Sequence, residues 1–232
     1  MSARDQILAR LRAAPGGDPA TVPDVSGWYQ RQRRDEDRAQ RIERLRQGLL
    51  AWRAEVHAVT SGNWTQVLLG LIAAKGLRQL LIGHDTPHGE ALAASAPASL
   101  EIVRYDQAVE EWKHRLFDRV DASLTLARSA IAETGSLVLW PSASEPRLMS
   151  LVPAVHVVLL DVDAIHADFH AAISAEGWSS GLPSNALLIS GPSKTADIQQ
   201  TLAYGAHGVG RYSVPEPMSE ALRYFLAINQ TA

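Results

Sequence analysis

The chain has 232 residues, 46% of them hydrophobic and 20% charged, with a net charge of −3 and a pI of about 6.2. That length suits one large domain or two small ones and can bury a sizeable core without staples, and the near-neutral charge gives no general attraction to nucleic acid or to anionic membranes. The absence of cysteine excludes disulfides, thiolate metal sites, a cysteine nucleophile and cysteine-held iron–sulfur clusters, and it fits a reducing, cytoplasmic setting.

Met1 to Leu11 is charged and has no apolar h-region, so a secretory signal is not expected. Ile7, Leu8 and Leu11 recur at helical spacing and predict an amphipathic helix over Ala3 to Ala13. Two glycines and three prolines between Pro15 and Pro23 break it. Residues 1–30 therefore read as an N-terminal helix and linker, and 31–232 as a single α/β domain. Seven arginines and four acids crowd Arg31 to Arg46. Interleaved charge of both signs describes a solvated, ion-paired helix face better than a nucleic-acid patch. Ile42, Leu45, Leu49, Leu50 and Trp52 supply its apolar side.

Glu55 to Thr60 reads as a short strand and Asn63 to Lys75 as a helix, capped by Asn63 and stopped by Gly76. Within it, Val67 to Ala74 is the most apolar helical stretch, far too short to span a bilayer. Gln79 to Gly83 is a buried strand, Glu90 to Ala96 a short helix, Leu100 to Arg104 a strand and Asp106 to Leu116 a helix. Strands are expected at Ser123 to Ala127, Ser136 to Trp140 and Val155 to Asp161. An amphipathic helix over Asp163 to Glu176 would present Ile165, Phe169 and Ile173 on one face. Ala186 to Ser190 reads as a strand, Thr195 to Tyr204 as a helix, Arg211 to Val214 as a last strand and Pro217 to Ile228 as a terminal helix. The alternation predicts an open, mostly parallel sheet with helices on both faces. The close strands between residues 123 and 161 add a local hairpin and a mixed character.

Three polar segments can carry chemistry. Ser190 to Ile198 follows an apolar strand: Gly191 and Pro192 shape a turn, Ser193 and Thr195 can cap a helix, and Asp197 falls in its first turn. Free backbone N–H groups beside those hydroxyls and Lys194 suit a phosphate or carboxylate, and a well-capped helix start accounts for the same residues. The spacing is not that of a Walker loop. Ala132 to Ser136 places Glu133, Thr134, Gly135 and Ser136 before a strand, either as one wall of a ligand site or as an ordinary turn. In Gly205 to Gly208, His207 is a titratable group in a glycine-flanked loop or a capping residue. His84 and Asp85 follow a strand at the carboxyl end, where open α/β sheets place ligands. The i, i+4 pairs His84/His88 and His166/His170 have zinc-ligand spacing, but Pro87 interrupts the first and a polar helix face explains the second, so no metal is expected. Trp112, Trp140 and Trp178 read as core or interface residues.

Ala130 to Ser136, Leu151 to Pro153 with the strand after it, and Ile189 to Ile198 with Gly205 to Gly208 resemble, in that order, the landmarks of the LUD-domain family, in its lactate utilization protein C type. The likeness is strongest from Ala127 to Gly208. It implies a fold like that of sugar-phosphate isomerases and CoA transferases. It also implies a role in L-lactate utilization, oxidation of lactate to pyruvate, beside an iron–sulfur LUD protein and a second component. This chain resembles the cluster-free member, so iron–sulfur clusters belong to its partners and none to itself. A small anion is expected at Ser193, Lys194 and Thr195, with Glu133, Thr134 and Gly135 opposite. Two departures stand out. Val209, Gly210 and Arg211 follow His207-Gly208 where the family usually has proline, and Lys194 replaces a common arginine, exchanging a planar fork for a point charge. A stand-alone enzyme on a sugar phosphate or CoA thioester, with Glu133 as nucleophile, and a purely structural adaptor are the competing readings.

Overall fold

A computed structural model describes residues 2–13, 22–191, 195–196, 202–203 and 224–230. Its contacts divide the chain into two units, Met1–Arg33 and Arg34–Ala232.

The first unit holds α1 (Ala3–Ala13) and α2 (Val25–Gln32), neither of which buries a residue. Ser2 and Asp5 exchange hydrogen bonds at the start of α1, and the Asp24 carboxylate caps α2 by accepting from Gly27 N.

The second unit opens with α3 (Arg38–Ala51). Asp37 and Gln40 form a reciprocal capping box, satisfying two otherwise orphaned backbone donors. The arginine-rich run is ion-paired as its interleaved charges predict. Arg44 reaches both oxygens of Glu36, Arg46 both oxygens of Glu43, and Arg38 lies 2.7 Å from Asp163. Ile42, Leu45 and Leu49 form the buried side.

There follow β1 (Glu55–Val59), α4 (Trp64–Ala74), β2 (Gln79–Gly83), α5 (Pro87–Ser95), β3 (Glu101–Tyr105), α6 (Val109–Asp118) and β4 (Ala122–Leu126). Then come β5 (Ser129–Ile131), β6 (Ser136–Leu139), α7 (Leu148–Leu151), β7 (Val155–Asp161), β8 (Ile165–His166) and α8 (Phe169–Ala175). The short strands β9 (Leu187–Ile189), β10 (Thr195–Ala196) and β11 (Leu202–Ala203) precede β12 (Tyr224–Gln230).

Six strands make the main sheet in the order β1-β12-β7-β4-β2-β3. The four from β7 to β3 are parallel, and β12 runs antiparallel between β1 and β7. Helices cover both faces, as the β/α alternation predicts. Leu80, Ile82 and Leu124 meet α4 and α5 through Leu68, Ile72 and Leu92. Leu81 and Val103 on the other face meet Trp112 and Leu116 of α6. A second sheet, β8-β5-β6-β9, contains the expected hairpin as the antiparallel pair β5–β6. Among the described residues no helix is long and apolar enough to cross a membrane.

Three expected elements differ. The span Asp163 to Glu176 is not one helix: a 3₁₀ turn and β8 come first, and Asp168, accepting from Ala171 N, restarts the helix at Phe169. Ile165 therefore enters the core over α3, while Phe169 and Ile173 pack around Trp178. Thr195 to Tyr204 is not a continuous helix either, because Thr195 and Ala196 pair antiparallel with Ala203 and Leu202, which demands extended backbone. The end of the expected terminal helix is β12 instead. Its apolar run is buried on both faces, Phe225 and Ala227 against one cluster, Leu226 and Ile228 against the other. A short apolar run of this kind has no periodicity to separate strand from helix. The strand expected at Arg211 to Val214 lies outside the described residues.

Candidate functional site

Two of the three polar segments converge. β9 pairs antiparallel with β6, setting Leu137 opposite Ile189, so Ser136 and Ser190 fall side by side at the end of the ladder. Their hydroxyl oxygens are 2.8 Å apart, and Thr134 Oγ1 lies 2.8 Å from Ser136 Oγ. Ser136, in the middle, is buried, while Thr134 at one end is exposed and Ser190 at the other half-buried. Three hydroxyls carry three O–H donors, and two are consumed within the row. One donor is left for an acceptor at one end, and the row's proton order can reverse to offer it at either.

The glycines beside these hydroxyls have a common neighbour. Gly135 sits at φ +64°, and a Cβ there would lie 2.7 Å from Gly48 Cα. A Cβ on Gly191 would lie 2.4 Å from the Trp52 carbonyl oxygen. Gly48 and Trp52 are one turn apart along and just past α3. Both segments are thus pressed onto the end of the same helix, and the side of Gly135 that a ligand was expected to approach is filled by backbone. The end of α3 is itself tight, with Arg53 at φ +65° directly after Trp52, a conformation uncommon outside glycine.

Glu133 is exposed, and its N–H donates to the Ala167 carbonyl at 3.1 Å, tying the turn to the start of α8. Ser193, Lys194, Asp197 and His207 lie outside the described residues, and of Thr195 only the strand backbone is described.

His57, His84, His88 and His166 take separate carboxylate partners. His84 Nε2 is 2.9 Å from Asp85, whose φ of +52° is a second left-handed non-glycine residue. His88 Nε2 is 2.7 Å from Glu145, and both are largely buried. His57 and Lys75 both hold Glu55, at 2.7 and 2.6 Å, and depress its pKa to about 2; the His57 hydrogen bond is the largest cause, burial opposes it, and Lys75 adds to the lowering. Glu176 gathers Arg128, His166 and the Trp178 indole N–H. Burial alone would raise its pKa, and the hydrogen bonds outweigh it to leave a net lowering. Among the described residues no three His, Cys, Asp or Glu side chains converge as a metal-binding group. His156 was not singled out in the sequence. It is wholly buried with Nε2 2.9 Å from Thr125 Oγ1, and burial drives its pKa to about 3. Its position in an apolar strand run is the one signal that could have found it.

A family model described as LUD domain matches residues 42–214, from within α3 past both polar segments. An uncharacterized protein of Neisseria meningitidis serogroup B is 42% identical over 213 residues, 90% of each chain. Lactate utilization protein C of Exiguobacterium sp. is 30% identical over 131 residues, 53% of this chain and 56% of the relative. Its namesake in Shouchella clausii is 24% identical over 181 residues, 75% and 78% of the two chains. Among solved structures, a DUF162 family protein of Deinococcus radiodurans superposes with a TM-score of 0.54 at 22% identity, over 66% of this chain and 88% of that one, a likeness of fold.

Proposed function

The chain belongs to the LUD-domain family, and from that premise we propose that it is an accessory or regulatory component of a lactate utilization system in the cytoplasm. Relatives named lactate utilization protein C support the system. The chain works beside an iron–sulfur LUD protein and a second component. With no cysteine of its own, it leaves thiolate-held clusters to them and contributes a binding site for a small anion.

The observation that carries the ligand site is the Thr134–Ser136–Ser190 hydroxyl row. It joins two segments more than fifty residues apart in sequence and offers one spare donor. Ser193, Lys194 and Thr195 follow directly and supply the positive charge and further donors, while Gly135 and Gly191 fix the two segments on α3. Those glycine contacts also favour a second reading, a structural adaptor in which the hydroxyls only tie the two segments together.

Thermal unfolding with lactate, pyruvate, phosphate, sugar phosphates and CoA esters separates the two. A ligand at a hundred times its Kd stabilises by ~2.7 kcal/mol. The site reading expects such a shift for at least one anion and its loss in Ser136→Ala and Lys194→Ala. Shifts that persist in both variants, or no shift with any of the compounds, leave the adaptor.

A further inference from the structure

Met1–Arg33 has a surface that its own two helices leave uncovered. It holds five arginines and three aspartates, so it is +2 in a chain of net −3, and residues 34–232 are −5. On α1, Ile7 and Leu11 are one turn apart with Leu8 beside them, which makes one apolar face. Ile7 is nevertheless 60% and Leu11 67% exposed. Arg10 and Arg12 border that face on either side, and Arg4 lies at its N-terminal end. Asp5, the acid of the helix, is spent on Ser2 N and Oγ. Arg4, Arg10 and Arg12 make no ion pair among the described residues. The arginines of α3 differ, since Arg38, Arg44 and Arg46 each hold a carboxylate of their own chain. Unmatched guanidiniums around an exposed apolar face suit a surface with an apolar centre and a carboxylate rim.

The outer side of α6 is such a surface. Trp112 and Leu116 turn into the core. On the opposite side Glu110, His114 and Phe117 form one row, at i, i+4 and i+7, with Glu111 and Asp118 in the next. All five are exposed, Phe117 by 61%. Glu110 and Glu111 make no ion pair among the described residues, and Asp118 faces His114 at 3.9 Å. Lys113 stands on one flank, and Arg115 on the other is taken by Glu101. A phenylalanine among three carboxylates complements the apolar face and guanidiniums of α1.

We propose that α1 of one chain docks on the outer face of α6 of a second copy, and that two chains form a dimer by exchanging these arms. The occupant is a second copy because each chain brings one basic arm and one acidic face. The contact is then made twice and closes, with no half of it left to recruit a third chain. The eleven residues between α1 and α2 span at most roughly 36–40 Å, which lets α1 reach a neighbouring molecule. An anionic membrane is disfavoured as the occupant, because it would repel the −5 of residues 34–232 while attracting the arm. The dimer is independent of the anion-site reading, and Ser136→Ala should leave it unchanged.

The test is sedimentation equilibrium of the full chain over a micromolar concentration series, with circular dichroism to check that each variant is folded. The wild type should rise from 25.2 kDa toward twice that mass. Arg10→Glu with Arg12→Glu gives an acidic arm, and Glu111→Arg with Asp118→Arg gives a basic α6. Each double variant alone should associate at least tenfold more weakly, as should Phe117→Ser, which leaves every charge in place. An equimolar mixture of the two double variants should recover association, because each arm then meets a face of opposite sign on the other chain. Docking of the arm within one chain gives no such recovery. A wild type that stays at 25.2 kDa, a dimer that neither double variant weakens, or a mixture that associates no better than its components overturns the proposal.

Discussion

Replacing Gly135 by alanine tests whether the turn before β6 is held by backbone contact with α3. Two costs add. A left-handed residue other than glycine loses roughly 1–2 kcal/mol, and Gly135 is at φ +64°. Its new Cβ would also lie 2.7 Å from Gly48 Cα and 2.8 Å from Gly48 C, and because both are backbone atoms the helix or the turn must move. Overpacking of this kind costs about 1–3 kcal/mol. Gly76 supplies the control: it has the same sign of φ, +67°, with nothing within 4 Å of its built Cβ. Gly76→Ala should therefore show the strain alone, and Gly135→Ala should exceed it by about 1–3 kcal/mol. The reciprocal change sharpens the comparison. Gly48 and Gly70 are both interior helix positions, where alanine is ordinarily better by roughly 0.5–1 kcal/mol. Gly70 has open space around its Cβ and Gly48 meets Gly135 Cα at 2.7 Å, so Gly70→Ala should stabilise and Gly48→Ala destabilise. Urea unfolding at constant m-value measures all four. If Gly135→Ala equals Gly76→Ala within 0.5 kcal/mol, or Gly48→Ala stabilises like Gly70→Ala, the close contact does not exist in solution.

Three further outcomes are expected. Glu55 has a folded pKa of about 2 against an ordinary 4.5; its contribution is complete above pH 4.5 and disappears as pH falls through 2, so Glu55→Gln should flatten the acid limb of a stability–pH curve by roughly 2–3 kcal/mol after solvent screening. His156, with its pKa lowered by burial to about 3, contributes stability above pH 6.5 that falls as pH drops toward 3, and its ring nitrogens should report a neutral imidazole at pH 5; an imidazolium signal there contradicts the buried contact with Thr125. Phe225→Ala, in a fully buried position on β12, should cost about 3–5 kcal/mol by denaturant unfolding, and a loss under 1 kcal/mol would remove β12 from the sheet.

The α/β layering was legible because β2, β3, β4 and β7 are short apolar runs alternating with helices that carry clear stops such as Gly76. The arginine-rich run was readable as a paired helix face from its interleaved acids. The elements that were missed lacked a local signal. Ile165, Phe169 and Ile173 have helical spacing, yet Asp168 between them caps a new start, and only tertiary pairing of Ala130 with Ile165 makes the preceding residues a strand. For the polar segments, sequence identified Thr134, Ser136 and the residues after Ser190 but not their meeting, which depends on the β6–β9 register. It also assigned Gly135 to a ligand wall, while the space beside it is occupied by Gly48. Nothing local pairs Gly48 and Trp52 with glycines more than eighty residues downstream.

The place of β12 has a consequence for synthesis. Among the described residues β1 has no sheet neighbour except β12, and β7 shares one whole edge with it. A ribosome that has released everything up to residue 223 has produced four correctly ordered parallel strands with an unsealed border. That border exposes the backbone of Val155–Asp161, an apolar run with no proline to blunt it. β1, made earlier, stays detached meanwhile, because the strand it pairs with among the described residues is not yet translated. Nascent chains and chains terminated before β12 therefore share one sticky surface, and the codons of β12 decide whether it closes on the chain's own strand or on a neighbour's.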